Sequence, residues 1–446
     1  MTSQPRRGAA QPYRSGVNRR EFLGLGAGLG AAALLGGCSG SGGDSSGGGE
    51  LTFWTFVDDH ATFMKSQAKE FNKTTKGPKV TVKASVYDYD QMHDKLLTAL
   101  QSGVGAPDVV DIEIAKFGTF TRGEIQLHDL TKLVDKHRKN LVETRLAPYQ
   151  FNGKQYGLDY HLGAFVMYYN TDVLREANVD PDNIETWDDF IAAGKTVKKK
   201  TGKWMTTVEA QNRLVHLALM LQNGGGIYDK NNKLILDSQA NVDALQLAAD
   251  MVHKHEIATS APGGGQSEPP FYKAFNAGKF ACHWYPQWQM IRFPDFMPDT
   301  KGKLLVRPLP TFSAGGAVST MGGGTGTAIT KHIDEEKVDV AMDFLEFAKI
   351  TYDAQVKIWT ELGFDPYRED VYDDPALSKP DPWFSNEPVM KNLEKMFDRL
   401  TPEYTGPRYP EAVQLINETV AFNIVKKGAS VSDELSSAVE TVERKS

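Results

Sequence analysis

Cysteine is scarce: the 446-residue chain has two, Cys38 and Cys282. With Cys38 in the leader segment and consumed by processing, Cys282 has no partner, which excludes an internal disulfide and a cysteine-based metal site. Cys282 reads as a small buried apolar residue inside Phe280-Ala281-Cys282. Catalytic signatures are missing too. There is no HExxH zinc motif, EF-hand loop or nucleophile elbow, and Gly322-Gly323-Gly324 lacks both the Lys-Ser/Thr of a P-loop and the dinucleotide-binding spacing. His253, His255 and Glu256 read as the polar end of a helix. No cofactor or metal is expected. Positive charge is short: the net is −7, and because residues 1–49 carry five arginines against Glu21 and Asp44, the remainder carries −10. An acidic body argues against nucleic acid as a partner.

Basic residues concentrate at the start. Arg6, Arg7, Arg14, Arg19 and Arg20 precede Glu21, and Phe22 to Leu35 is an apolar run of Phe, Leu, Gly and Ala. That run falls short of the ~20 apolar residues that cross a bilayer, so it reads as an export signal. Arg19-Arg20-Glu21-Phe22-Leu23 resembles a twin-arginine signal. Leu35-Gly36-Gly37-Cys38 resembles a lipobox, which makes residues 1–38 a signal and Cys38 the lipidated mature N-terminus, attached to the cell membrane on its outer side. Residues 39–49, a Gly/Ser-rich stretch with one acid, read as a flexible tether.

About 397 residues follow, too many for one core and suited to two lobes. Leu51–Phe56 and Val80–Val86 read as strands. Between them Ala61, Met64, Ala68 and Phe71 form the apolar stripe of a helix capped by Asp58 or Asp59. Asp90 is expected to cap a second helix, followed by a buried strand over 108–112. The same alternation continues to residue 443 and implies an α/β fold with parallel-rich sheets covered by helices.

Several stretches resemble family 1 extracellular solute-binding proteins, the maltose-binding-protein class. They are Leu51–Phe56, Lys95-Leu96-Leu97 through Ala106-Pro107-Asp108-Val109-Val110, Tyr168–Leu174, Thr186–Phe190, Gly224–Asp229 and Phe275–Lys279. The resemblance covers nearly all of residues 50–446. It implies a two-lobe periplasmic-binding-protein-like fold with three hinge crossings, near Asp159–Gly163, Thr311–Gly315 and Leu362–Pro366. Lobe 1 would comprise residues 50–160 and 316–362, lobe 2 residues 161–315 and 363–446. It also implies a monomer that binds a carbohydrate between its lobes and hands it to the permease subunits of an ABC importer.

In open parallel sheets, ligands bind beyond the carboxyl ends of the strands. Trp54 and Asp58, after the first strand, pair an aromatic plate with a carboxylate, the combination that suits a sugar's apolar face and hydroxyl edge. Trp54 in the core and Asp58 as a helix cap are the competing readings. Glu113 ends the next strand, whereas Asp111 can point into the sheet. Tyr160 and His161 lie at the first crossing. Trp284 and Trp288, in the densest aromatic cluster, are the foremost stacking candidates, with core packing as the alternative. Glu209, Gly323, Asp365, Arg368 and Arg408 complete the set; Trp187 and Trp383 read as packing residues.

An exported glycoside hydrolase using two carboxylates remains an open alternative, as does a receptor for a non-sugar solute. A ferric-ion or anion receptor would need clustered tyrosines or a basic cleft, which an acidic chain does not favour.

Overall fold

The computed structural model describes residues 49–444. Arg19, Arg20 and Cys38, with the signal and nearly all of the tether, lie outside the described residues. The longer strands are β1 (Gly49–Thr55), β2 (Val80–Val86), β3 (Val109–Glu113), β4 (Phe165–Asn170), β5 (Cys282–Pro286), β6 (Leu304–Arg307) and β7 (Thr325–Ile329).

The first lobe is built on a sheet of order β7-β3-β1-β2. β1 pairs in parallel with β2 and β3, and β7 joins β3 antiparallel with Thr325 opposite Glu113. Alternating β-branched and apolar residues make these strands, and the amphipathic helix Asp58–Thr74 covers one face with Phe63, Met64, Ala68 and Phe71. Two capping expectations need correction. Val57 precedes that helix with no side-chain cap, leaving Asp58 and Asp59 as first-turn acids that complement the helix dipole. The helix Tyr89–Ser102 is capped by Asp88, whose carboxylate accepts from the Asp90 and Gln91 amides.

The second lobe centres on the sheet β6-β4-β5, antiparallel throughout, with Phe165 opposite Pro286 and Tyr169 opposite Cys282. Parallel pairing beyond the first sheet is limited to short pieces: Thr206–Val208 with Ala258–Ser260, Ser319–Thr320 with Leu400–Thr401, and isolated bridges of Trp204 with Phe280 and Thr186 with Thr311. The direction of β5 matters for function. β4 runs away from the lobe junction and β5 runs back to it, so the residues after Pro286 emerge beside Ala164, whose carbonyl accepts the Gln287 amide.

Backbone hydrogen bonds join the connecting segments into one band. Gly322 N–H donates to Gly163 O, Leu162 N–H to Asp365 O, and Leu158 and Thr327 exchange a pair. The second passage between the sheets therefore runs through Gly322–Gly324. Thr311 lies within the second lobe, bonded to Glu185 and Trp187, so the expected crossing at Thr311–Gly315 is displaced. Gly324 explains why this point tolerates only glycine. Its φ is +155°, and a Cβ there would fall 1.5 Å from the Arg145 guanidinium. Arg145 is buried and ion-paired with Asp159 in the first crossing.

Candidate functional site

Two adjoining cavities lie where the lobes meet. The outer one, about 980 Å³, is bounded by Tyr89, Glu113 and Lys116 of the first lobe, by Arg213, Tyr285 and Trp288 of the second, and by Glu411 and Gln414 of the helix Tyr409–Leu415 and its continuation. The inner one, about 210 Å³, is lined by Phe56, Asp59, His60, His161, Gly323 and Phe364 among others. Glu113, Arg213, Leu214 and Trp288 line both.

Glu113 is the pivot. Ending β3, it accepts the Ala115 amide at 2.7 Å and the Tyr89 hydroxyl at 2.8 Å on one oxygen, and Arg213 at 3.1 Å on the other. The Arg213 contact crosses from one lobe to the other. Burial is the largest influence on Arg213 and opposes its charge, but Glu113 together with Tyr409, Tyr89 and Glu403 outweighs it and raises the guanidinium pKa. Burial and the Glu113 charge together push the Tyr89 phenol well above its ordinary value, so it stays a donor. Elsewhere in the outer wall Lys116 pairs with Asp90 at 2.8 Å and Arg122 with Glu411 at 2.6 Å. The bases are thus matched to acids, and Glu268 and Glu418 leave the wall of hydrogen-bonding groups with an acidic excess.

Trp288 follows β5 and donates its indole N–H to Gly322 O at 3.0 Å, which sets the ring beside the second crossing and edge-on to Tyr285 at 5.2 Å. Gly323, at φ +73°, lies against it and gives its carbonyl to Arg145. His161 lines the inner cavity with 5% of its surface exposed. Burial pushes its pKa down to about 3, so the ring is neutral, and its Nδ1 has no hydrogen-bond partner.

The other expected site residues fall elsewhere. Trp284 is fully buried: it donates to Thr207 O at 3.0 Å and packs edge-on against Trp187 at 5.3 Å. Strand alternation explains this, since Tyr285 faces the outer cavity and its neighbour must face the other way. Trp54 belongs to the first lobe's core, beside Tyr87 and under Lys95. Asp58 is exposed at the helix start and lines neither cavity, whereas Asp59 lines the inner one. Tyr160 lies beneath His60, stacked at 3.8 Å with Lys349 over its face. Asp111 is buried, accepting from Thr55 and Thr327 and contacting His60.

Two carboxylates and one arginine prove to be supports. Glu209 is buried and accepts the Val215 and Gln266 amides; burial lifts its pKa to about 7. Asp365, likewise lifted to about 7 by burial, accepts the Gly163 and Ala164 amides and fastens the third connecting segment to the first. Arg368 engages Asp370, His137 and the Ile350 carbonyl and lines neither cavity. Arg408 lies 3.7 Å from Glu411 and lines neither cavity, although Pro410 and Glu411 line the outer one.

Arg213, Tyr89 and His60 were not anticipated as site residues. For Arg213 a signal exists in the sequence. A cation directly before the apolar helix Leu214–Gln222 sits at the helix's positive end, a placement that requires an acidic partner. Among the described residues, no cluster of three or more His, Cys, Asp or Glu side chains is arranged to hold a metal ion.

Comparison with known proteins agrees with this architecture. The arabinooligosaccharide-binding protein of Bacillus subtilis (strain 168) is 42% identical over 382 residues, covering 84% of this chain and 88% of that relative. The arabinooligosaccharide-binding protein of Halalkalibacterium halodurans is 38% identical over 397 residues, 88% of this chain and 89% of its own. Among solved structures, the cyclic alpha-maltosyl-1,6-maltose binding protein from Arthrobacter globiformis superposes with a TM-score of 0.72 at 20% identity, covering 88% and 97% of the two chains. The GacH receptor of Streptomyces glaucescens superposes at 0.70 with 21% identity, covering 89% and 98%. Both share the two-lobe fold. Residues 54–349 match the family described as bacterial extracellular solute-binding protein, and the chain belongs to that family.

Proposed function

We propose that this protein captures a neutral arabino-oligosaccharide outside the cell and delivers it, chemically unchanged, to the permease of an ABC importer. The observation that carries the reading is the cleft: a cavity of about 980 Å³ between two lobes, with Trp288 at its inner edge and its bases matched to acids. Ligand sites of roughly 300–1,000 Å³ bury most of a small molecule, and the upper end of that range suits several sugar rings. Trp288 and Tyr285 offer faces for the C–H side of a ring, while Glu113, Arg213 and Lys116 offer directed hydrogen bonds to hydroxyls. The matched charges disfavour a multiply anionic ligand, and the two relatives above are named for binding arabino-oligosaccharides. Closure of the lobes around the ligand would generate the form that the permease recognises.

The leader completes the picture. Export through the paired arginines and lipidation at Cys38 would hold a monomeric receptor at the outer face of the membrane, with the Gly/Ser tether giving it reach. Intrinsic fluorescence and thermal shift against L-arabinose, arabino-oligosaccharides and malto-oligosaccharides test the reading. Arabino-oligosaccharides should raise the melting temperature most, with no new product on chromatography. Hydrolysis of the ligand, or no response to any saccharide, would overturn it.

A further inference from the structure

A glycine of the first lobe is seated against a glycine of the second. Gly118 follows the short helix Ile114–Phe117 with an ordinary helical φ of −55°, so its own backbone does not require glycine. The close approach does. A Cβ on Gly118 would fall 2.3 Å from the Gly406 carbonyl oxygen, and its next neighbours would be the Gly406 carbonyl carbon and Pro410, both at 3.3 Å. That oxygen has no room to retreat. It accepts the Tyr409 amide at 2.9 Å, and Gly406 is backed by the Tyr228 ring, which lies 2.7 Å from where a Cβ of Gly406 would be. Beside the two glycines Arg122 donates its Nε to Pro407 O at 2.8 Å and its Nη2 to the Glu411 oxygens at 2.6 and 2.7 Å.

The partners in this contact belong to different lobes. Gly118 and Arg122 follow β3. Residues 406–411 are held to the second lobe: Leu400–Thr401 pairs with Ser319–Thr320 ahead of the second crossing, Tyr228 packs on Gly406, and His253 Nε2 meets Ile424 O at 3.0 Å. Arg122 and Glu411 line the outer cavity, and none of the described residues 159–163, 322–324 or 362–366 does. The contact therefore stands away from the crossings, on a rim that separates when the lobes rotate about them. Gly118 itself lines neither cavity.

We propose that Gly118 and Gly406 form a closure seat. The two glycines meet only when the lobes shut, and Arg122 then clasps Pro407 and Glu411. The fit at Gly118 sets how completely the lobes close and so how tightly the saccharide is held, although Gly118 does not touch it. This rests on the capture reading and adds a determinant of affinity outside the ligand cavity.

The test compares Gly118→Ala with the wild type by thermal melting, by titration and stopped-flow kinetics with an arabino-oligosaccharide, and by small-angle X-ray scattering with and without it. The ligand-free variant should melt at or slightly above the wild-type temperature, because alanine suits the local backbone and the three atoms nearest its methyl are all across the seat. If the methyl cuts the fully closed population to about a tenth, apparent affinity falls about tenfold. That loss should appear as faster dissociation, with less compaction on binding. Unchanged affinity, or full compaction, would overturn the seat and leave capture intact. A ligand-free variant melting several degrees below the wild type would also overturn it, by placing the clash inside the fold. A wild type that neither binds nor compacts would overturn the capture reading, and the seat with it.

Discussion

Trp284 and Trp288, four residues apart, should respond to truncation in opposite ways. Trp284 is fully buried, and replacing it with alanine removes a large core side chain and leaves a cavity beside Trp187, a class of change that costs about 3–5 kcal/mol. Its hydrogen bond adds little, because Thr207 O keeps a second donor in Gln266 Nε2 at 2.9 Å. In a body of ~400 residues with ~2 cal/mol/K of unfolding entropy per residue, 4 kcal/mol lowers the melting temperature by on the order of 5 °C. Ligand affinity should be almost unchanged. Trp288 is partly exposed and lines both cavities, so Trp288→Ala should lower the melting temperature less but weaken oligosaccharide binding by about 10–30-fold, the equivalent of ~1.5–2 kcal/mol of lost aromatic contact. Calorimetric melting and titration on both variants supply the four numbers. Lost affinity with normal stability in Trp284→Ala, or unchanged affinity in Trp288→Ala, would refute the assignment of the two rings.

Other predictions address charge and anchoring. A double-mutant cycle on Glu113 and Arg213, read by denaturant unfolding, should give a coupling of about 1–3 kcal/mol, because the pair crosses the lobes with little solvent around it; additive effects would show the contact to be incidental. Glu403 accepts from Tyr409 on one oxygen and is unpartnered on the other, and burial, outweighing the opposing charge of Arg213, raises its pKa to about 7. A carboxyl raised in the folded state favours folding in full below its unfolded pKa and loses that contribution as pH rises through about 7. The wild type should therefore lose on the order of 3 kcal/mol from this group between pH 4.5 and 8, and Glu403→Gln should flatten that slope; an unchanged slope would place the titration elsewhere. Cys38→Ala should move the protein from the membrane fraction to the medium, and retention at the membrane would rule out the lipid anchor.

The alternation of strands and amphipathic helices was readable because burial imposes period 2 on strands and period 3.6 on helices, and it located β1 and β2 within a residue or two. Strand direction left no such trace, which is why the antiparallel β4–β5 pairing was not anticipated. That pairing decides the site, because it delivers Trp288 to the lobe junction and turns Trp284 inward. Glu113 and His161 were legible as groups at a strand end and a crossing. Asp365 and Glu209 drew attention as polar residues in suitable places, yet their oxygens are engaged by backbone amides, a fact of tertiary structure alone. Gly322–Gly324 matched no phosphate-binding motif; the position of the buried Arg145–Asp159 pair against Gly324 shows why glycine is needed there.

The most direct measurement is a crystal structure grown with a neutral arabino-oligosaccharide bound. It should show the saccharide between Glu113 and Arg213 on one side and Trp288 and Tyr285 on the other. A saccharide seated elsewhere on the surface, with these side chains untouched, would contradict the account.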